Sequence, residues 1–392
     1  MDRKYELTKN NKVIPVVMMI IGIAAVVTGF MTDTTRTWAS LLQNNFYFTA
    51  MALCGTFFMA FNYVAQAGWS VAIKRVPEAV GGFLKFGMAG MLLIFIFGQH
   101  DLYHWTHHEL YDPASPEYDH ILAGKSGFLN VPFYIIRIIA YAAIWIGFHH
   151  MLRKHSLLED IEGGLTHYKR SITLSATFLV LFAVTSSTSA WDFLMSIDAH
   201  WFSTLFGWYT FIGLFVSGMA MICLIILYLK GRGYMDHVTV NHLHDVGKFM
   251  FAFSIFWTYL WFSQFMLIWY ANLPEEVVYY QIRWNHFRTL WVTNLLVNFI
   301  APFLILMTRD AKRQQKILWV GGIIILCGHW LDVFLMVMPG TVGAGWQIGF
   351  IEIGTMIGYL GLFLLVTFTE LSKAALVPKN HPMLAESLHH HI

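Results

Sequence analysis

Ten runs of about 20 apolar residues shape this 392-residue sequence, at roughly 13–31, 45–67, 79–98, 129–151, 171–192, 201–229, 247–271, 287–308, 317–338 and 347–370. Each is long enough for a helix to cross the hydrocarbon core of a bilayer. A chain in lipid must satisfy its backbone hydrogen bonds internally, so runs of this length read as helices. The predicted fold is an all-α integral membrane protein with ten transmembrane helices. It divides into a cytoplasmic N-terminal segment (1–12), a single polytopic membrane domain (13–370) and a cytoplasmic C-terminal tail (371–392). The longest stretch between runs is about 30 residues, too short for a core of its own. The first run follows a Lys-rich start, but Thr28-Gly29-Phe30-Met31 offers no small-residue cleavage site, so it reads as a spanning helix. Pro302 is expected to kink the eighth run.

Orientation follows from the basic residues between the runs. With the N-terminus in the cytoplasm, 19 of the 25 Lys and Arg residues fall inside, from Arg3 and Lys4 through Lys74, Arg75 and Arg153 to Lys379. Arg36, Lys125, Arg283 and Arg288 fall outside, and Lys85 and Arg137 lie within runs. The asymmetry alternates loop by loop, which an odd number of spans would scramble. The expected topology is multi-pass, with both termini cytoplasmic.

Composition agrees. Hydrophobic residues make up 57% of the chain and charged residues 12%, about half the charge of a soluble domain. A net charge of +2 points to no nucleic acid. Cys54, Cys223 and Cys327 lie far apart inside apolar runs. There is no CxxC, CxxCH or iron–sulfur spacing, so the chain is expected to carry no iron–sulfur cluster and no c-type haem.

Ionisable residues at membrane depth are costly and usually face a bundle interior or a water path. Six stand out: Lys85, His329, Asp332, Arg137, Asp192 and Glu352. Ordered by depth they form a candidate proton path, because His and carboxylates exchange protons through water. The alternative is that they pair, Arg137 with a carboxylate for instance, and hold helices together. Haem b needs four histidines near mid-depth, and only His329 qualifies; His149 and His150 read as interfacial.

Two polar stretches admit more than one reading. His100-Asp101-Leu102-Tyr103-His104-Trp105-Thr106-His107-His108 has the HxxxH and HxxHH spacings of one histidine box of a membrane di-iron enzyme. Such enzymes need three boxes on the cytoplasmic side, and this one is predicted outside, where a docking loop or proton exit fits better. The hydroxyl run Thr185–Ser189, ending at Trp191 and Asp192, either bonds back to its own helix or lines a polar pocket with Trp191 as a wall. A flat quinone ring suits such a pocket. Asp198, in the turn that follows, reads as a helix cap.

Two further stretches carry a resemblance: WDFLMSIDAHWFSTLFGWY from Trp191, and NHLHDVGKFMFAFSIFWTYLWFSQFMLIWYANLPEE from Asn241. With the ten-helix layout and the HPMLAESLHHHI tail, they resemble the ActF membrane subunits of bacterial alternative complex III, which are similar to the NrfD and polysulfide reductase membrane anchors. The resemblance spans essentially the whole chain. It implies two four-helix bundles, helices 2–5 and 6–9, with helices 1 and 10 flanking them. It also implies a complex with an ActC-like (NrfD-like) membrane subunit, a multihaem cytochrome c, an iron–sulfur subunit, small membrane subunits and a terminal oxidase as acceptor. Haem c and iron–sulfur clusters would sit in those partners, with menaquinol as the electron donor, and this chain would bind no redox cofactor and no metal of its own. The family's quinol site uses a His and an Asp near the outer ends of bundle helices, for which the nearest candidates are His100, Asp101 and Asp192, beside Trp191.

The expected function is therefore that of a scaffolding and proton-conducting subunit of a quinol:cytochrome c or oxidase electron-transfer complex. The rival in the enzyme class is a di-iron hydroxylase built on the His100–His108 box. A secondary transporter needs paired Gly/Pro-interrupted segments in its two halves, and none is seen.

Overall fold

The structure, a computed structural model, describes residues 3–391. The first two residues of the predicted N-terminal segment and the last of the tail lie outside the described residues. Ten helices are long and apolar enough to cross a membrane: α1 (Lys9–Thr32), α2 (Thr34–Val64), α3 (Arg75–Leu102), α4 (Val131–Glu162), α5 (Thr166–Phe193), α6 (Leu205–Gly231), α7 (Val240–Ala271), α8 (Arg288–Leu306), α9 (Gln315–Thr341) and α10 (Phe350–Ser372). No strand occurs among the described residues; one isolated bridge joins Lys4 to Ala375.

Several helices outrun their apolar stretches. α2 begins at Thr34, well before residue 45, because Arg36, Gln43, Asn44 and Asn45 are buried against protein instead of facing lipid. Hydropathy does not register a polar residue that another helix solvates. α4 runs on to Glu162, which places His149 three turns inside the helix and buries it. Its interfacial reading fails for that reason, while His150 is exposed. The segment 274–286, which lies between the seventh and eighth apolar runs, is a helix, Pro274–His286. Pro274 at its first position, Glu275 and Glu276 in its first turn and Arg283 and His286 in its last are favourable end chemistry. Asn272, at φ 49°, ends α7 in the left-handed conformation just before it. In α8 the expected disturbance at Pro302 takes the form of a π-turn over Leu296–Ile300, which absorbs the missing N–H.

α2 packs on α3, α3 on α4, α4 on α5, and α5 back on α2. In the same way α6 packs on α7, α7 on α8, α8 on α9, and α9 back on α6. The seam between these groups is α2 against α6 and α9, with α5 also touching α6. α2 and α6 are accordingly the most enclosed of the ten helices. α1 pairs with α10, and both lean on α2. At their crossing Gly22 meets Gly358 backbone to backbone, so a side chain on either would strike the other's Cα. Small residues permit this approach in lipid.

The two ends of the described chain lie on one face, called here the N-terminal face. The Leu376 N–H donates to the Arg3 carbonyl, and Asn241 Nδ2 donates to the His390 carbonyl. The tail after α10 is strapped across this face. Ser387 accepts from the Ala72 N–H and donates to the Trp69 carbonyl, and His390 Nε2 lies 2.6 Å from Asp245.

Candidate functional site

Buried charge sorts the candidate residues. At the face opposite the termini, α2 and α10 bring Arg36 to Glu352, with Nε and Nη2 donating to the two carboxylate oxygens at 2.5 and 2.6 Å. α4 and α5 bring Arg137 to Asp192 in the same forked way, at 2.8 Å for both contacts, and the Tyr141 hydroxyl adds a third donor at 2.6 Å. The guanidinium of Arg137 lies over the Phe128 ring, 3.9 Å from its centroid. Such two-toothed pairs are neutral as units and hold helices in register. The oxygens of Asp192 and Glu352 are thereby committed to guanidinium.

Asp332 is held differently. It sits on α9, 2% exposed, where α6, α7 and α8 converge on it. The Tyr209 hydroxyl and Asn294 Nδ2 donate to Oδ1, and the Trp257 indole N–H donates to Oδ2 at 3.0 Å. All three donors are neutral. Among the described residues the only ion-pair neighbour is His329, one turn earlier on α9, with Nδ1 4.0 Å from Oδ2. His329 is itself 2% exposed, edge-on to the Trp257 ring, and neither of its ring nitrogens has a hydrogen-bond partner. A buried carboxylate without a cation, next to an imidazole without a partner, is the one place among the six candidates where a proton has somewhere to go.

Two small cavities meet at this carboxylate. One, with about 20 Å³ open to a water centre, reaches from Asp332 and Asn294 past Gln264 and Tyr280 to Arg283. The other, about 10 Å³, lies on the His329 side against Ser217 and Tyr47. These are near the size that admits one water. Arg283, on the Pro274–His286 helix, stacks on Tyr279 and lies 3.6 Å from Asp198. Asp198 therefore faces a cation instead of capping a helix. Burial raises its pKa, and Arg283 opposes the rise.

The remaining sequence candidates lie elsewhere. Lys85 is exposed on α3. Asp101 accepts from Thr35 at 2.8 Å, and His100 Nδ1 lies 3.2 Å from the Thr106 hydroxyl. Trp191 is part-buried with its indole N–H unpaired. The hydroxyls of Thr185, Thr188 and Ser189 bond back to carbonyls of α5, while Ser186 and Ser189 also line a cavity. The His100–His108 segment leaves α3 after Leu102 and winds through short 3-10 turns, which set the His107 ring 5.3 Å from that of His100 and 5.6 Å from that of His104, between centroids. Among the described residues no three His, Cys, Asp or Glu side chains converge as a metal site.

A second polar centre on the N-terminal face escaped the sequence reading. Glu78, fully buried, accepts from Arg75 at 2.7 Å and Ser156 at 2.5 Å, with Arg153 at 3.9 Å. Arg75 also pairs with Asp160, and Lys74 donates to Tyr63 and Glu159. Burial works against the charge on Lys74, but Tyr63, Glu78 and Glu159 outweigh it and hold its pKa above the usual range. Counted as positive-inside loop residues, these cations gave no sign of being buried. The signal was present on α4, where Arg137, Tyr141, Trp145, His149 and Arg153 recur every fourth residue and so share one face.

No family model matches the chain, and no curated protein matches it.

Proposed function

We propose that this chain is a proton-carrying and scaffolding membrane subunit of a quinol-oxidising electron-transfer complex, with Asp332 and His329 as its proton-exchange site. The observation that carries the reading is the contrast in charge balance. Asp192 and Glu352 are neutralised by forked arginines, whereas Asp332 faces three neutral donors and an unpaired imidazole. Neutral donors solvate the carboxylate without fixing its charge, so it can take up and release a proton as water reaches either cavity.

The assignment to an electron-transfer complex rests on the resemblance to alternative complex III membrane subunits. On that reading α2–α5 and α6–α9 are two four-helix bundles flanked by α1 and α10, which the pairwise helix packing supports. The termini lie in the cytoplasm, and an ActC-like subunit, a multihaem cytochrome and an iron–sulfur protein complete the assembly. Quinol oxidation occurs in the partners, and this chain moves protons without redox chemistry of its own.

The test is purification from the native membrane in mild detergent, with mass spectrometry of what accompanies the chain, a haem spectrum and an iron assay. A multihaem cytochrome and an iron–sulfur protein that co-purify, with quinol-dependent cytochrome reduction, are the expected result. A chain purified alone with two irons of its own would overturn it in favour of a di-iron enzyme.

A further inference from the structure

A proton site needs access from both faces, and α6–α9 supply only one. Towards the opposite face, Asp332 has the cavity bordered by Asn294, Gln264 and Arg283. Towards the N-terminal face, the buried polar groups nearest Asp332 on these helices are Asn298 on α8, Ser217 on α6 and Ser254 on α7, and the next, His242, His244 and Asp245, lie in the first turns of α7. Between the two sets the interior is closed by Met250, Leu306, Leu318 and Ile325, each 0% exposed. Water does not file through a packed aliphatic plug.

The neighbouring group α2–α5 is polar at the depth where α6–α9 carry this aliphatic layer, although Ser254, on the Asp332 side of the layer, is also buried without a hydrogen-bond partner. Above the Glu78 cluster, His149 on α4 is 3% exposed, with Nδ1 3.0 Å from the hydroxyl of fully buried Thr56 on α2. Ser175 on α5, also 0% exposed, has no hydrogen-bond partner; a buried hydroxyl in that state calls for water. One turn above His149, about 6 Å, Trp145 donates to the Thr185 hydroxyl at 3.0 Å. Trp145 also walls a cavity of about 20 Å³ that holds Ser186, Ser189 and Thr210. Thr210, Phe46, Ala50 and Leu214 wall that cavity and equally the one containing His329 and Asp332. Two water-sized spaces therefore abut, from Trp145 on α4 and Ser189 on α5 across the α2–α6 seam to Asp332.

We propose that protons pass between the N-terminal face and Asp332 by way of His149 and Thr56, crossing from one helix group to the other between α2 and α6. The inference rests on the proton-carrying reading above and gives it a route. At His149 one ring nitrogen takes up a proton as the other gives one up, so each transfer leaves the imidazole neutral.

The test uses membrane vesicles holding the full chain in its native assembly, with protons moved per electron as the readout. Asp332→Asn, His149→Leu, Thr56→Val and Ser254→Ala are compared at equal amounts of assembled protein. The expected result is a ratio lowered at least twofold by Asp332→Asn, His149→Leu and Thr56→Val, and unchanged by Ser254→Ala. A loss with Asp332→Asn but none with His149→Leu or Thr56→Val overturns the route and leaves the site. A normal ratio in Asp332→Asn overturns the site and the route together. If His149→Leu does not accumulate, the near-isosteric Thr56→Val decides.

Discussion

His329 Nδ1 lies 4.0 Å from Asp332 Oδ2, one helical turn apart on α9, and no Lys or Arg of the described chain pairs with either. The other buried carboxylates of the described chain are compensated: Glu352 by Arg36, Asp192 by Arg137, Glu78 by Arg75, Glu159 by Lys74 and Asp245 by Lys248. The exception has chemical meaning because a forked arginine fixes a carboxylate as an anion, whereas hydroxyl, amide and indole donors leave either protonation state solvated.

Asp332→Asn keeps the size of the side chain and a carbonyl acceptor for Tyr209 or Trp257. Assembly is therefore expected to be intact, with the melting temperature in detergent within a few degrees of the parent, while proton movement slows. Unfolding curves and vesicle acidification, read on the same preparations, check both halves. A collapse of assembly would mean that the carboxylate is structural.

Removing one partner of a sealed pair strands the other. Arg137→Met leaves Asp192 buried without its cation, and the expected cost is about 3–5 kcal/mol. Adding Asp192→Asn should recover most of it, because the orphaned charge is gone. Thermal unfolding of the two single variants and the double variant in detergent measures the coupling, and simple additivity would argue against the pair.

Gly22→Leu and Gly358→Leu place a side chain against the facing helix backbone, where no rotamer can move the obstacle. α1 and α10 must separate, with an overpacking cost of about 1–3 kcal/mol. A cysteine pair engineered across the crossing, oxidised in the parent and not in the variants, reports the separation directly.

The C-terminal strap is expected to be acid-sensitive. His381 is 7% exposed beneath the tail, against Tyr63 and Tyr168; burial, and then the Lys74 ammonium, push its pKa down from 6.5 to about 3. A free His381 gains a proton that the docked one refuses. Docking is thus fully favoured above pH 6.5 and weakens progressively as pH falls from 6.5 towards 3. Limited proteolysis of the tail across pH 7.5 to 5 should show faster cleavage at the acid end, and His381→Phe should flatten the dependence.

The ten helices were legible because their signal is one-dimensional: length and hydropathy are summed along the chain, and each of α1 to α10 overlaps most of the run that announced it. The same sum misplaced the start of α2 and overlooked the depth of His149, since it scores Arg36 or Asn44 as though lipid surrounded it. The Pro274–His286 helix was readable from its end chemistry and went unread because its span is amphipathic and short. Position in sequence singled out Arg137, Asp192, Glu352, His329 and Asp332 as costly at membrane depth. It could not say which were paired.

Sequence alone thus determined the class of the molecule and the short roster of residues whose burial needs an explanation. Tertiary packing decided which of those charges are compensated, because a guanidinium on α2 or α4 neutralises a carboxylate on α10 or α5 only when the helices bring them within hydrogen-bond reach. Partners such as Arg36 and Glu352, 316 positions apart in the chain, leave no local pattern. The isolation of Asp332 beside His329 is likewise a property of where α6, α7 and α8 place neutral donors, which no stretch of α9 encodes.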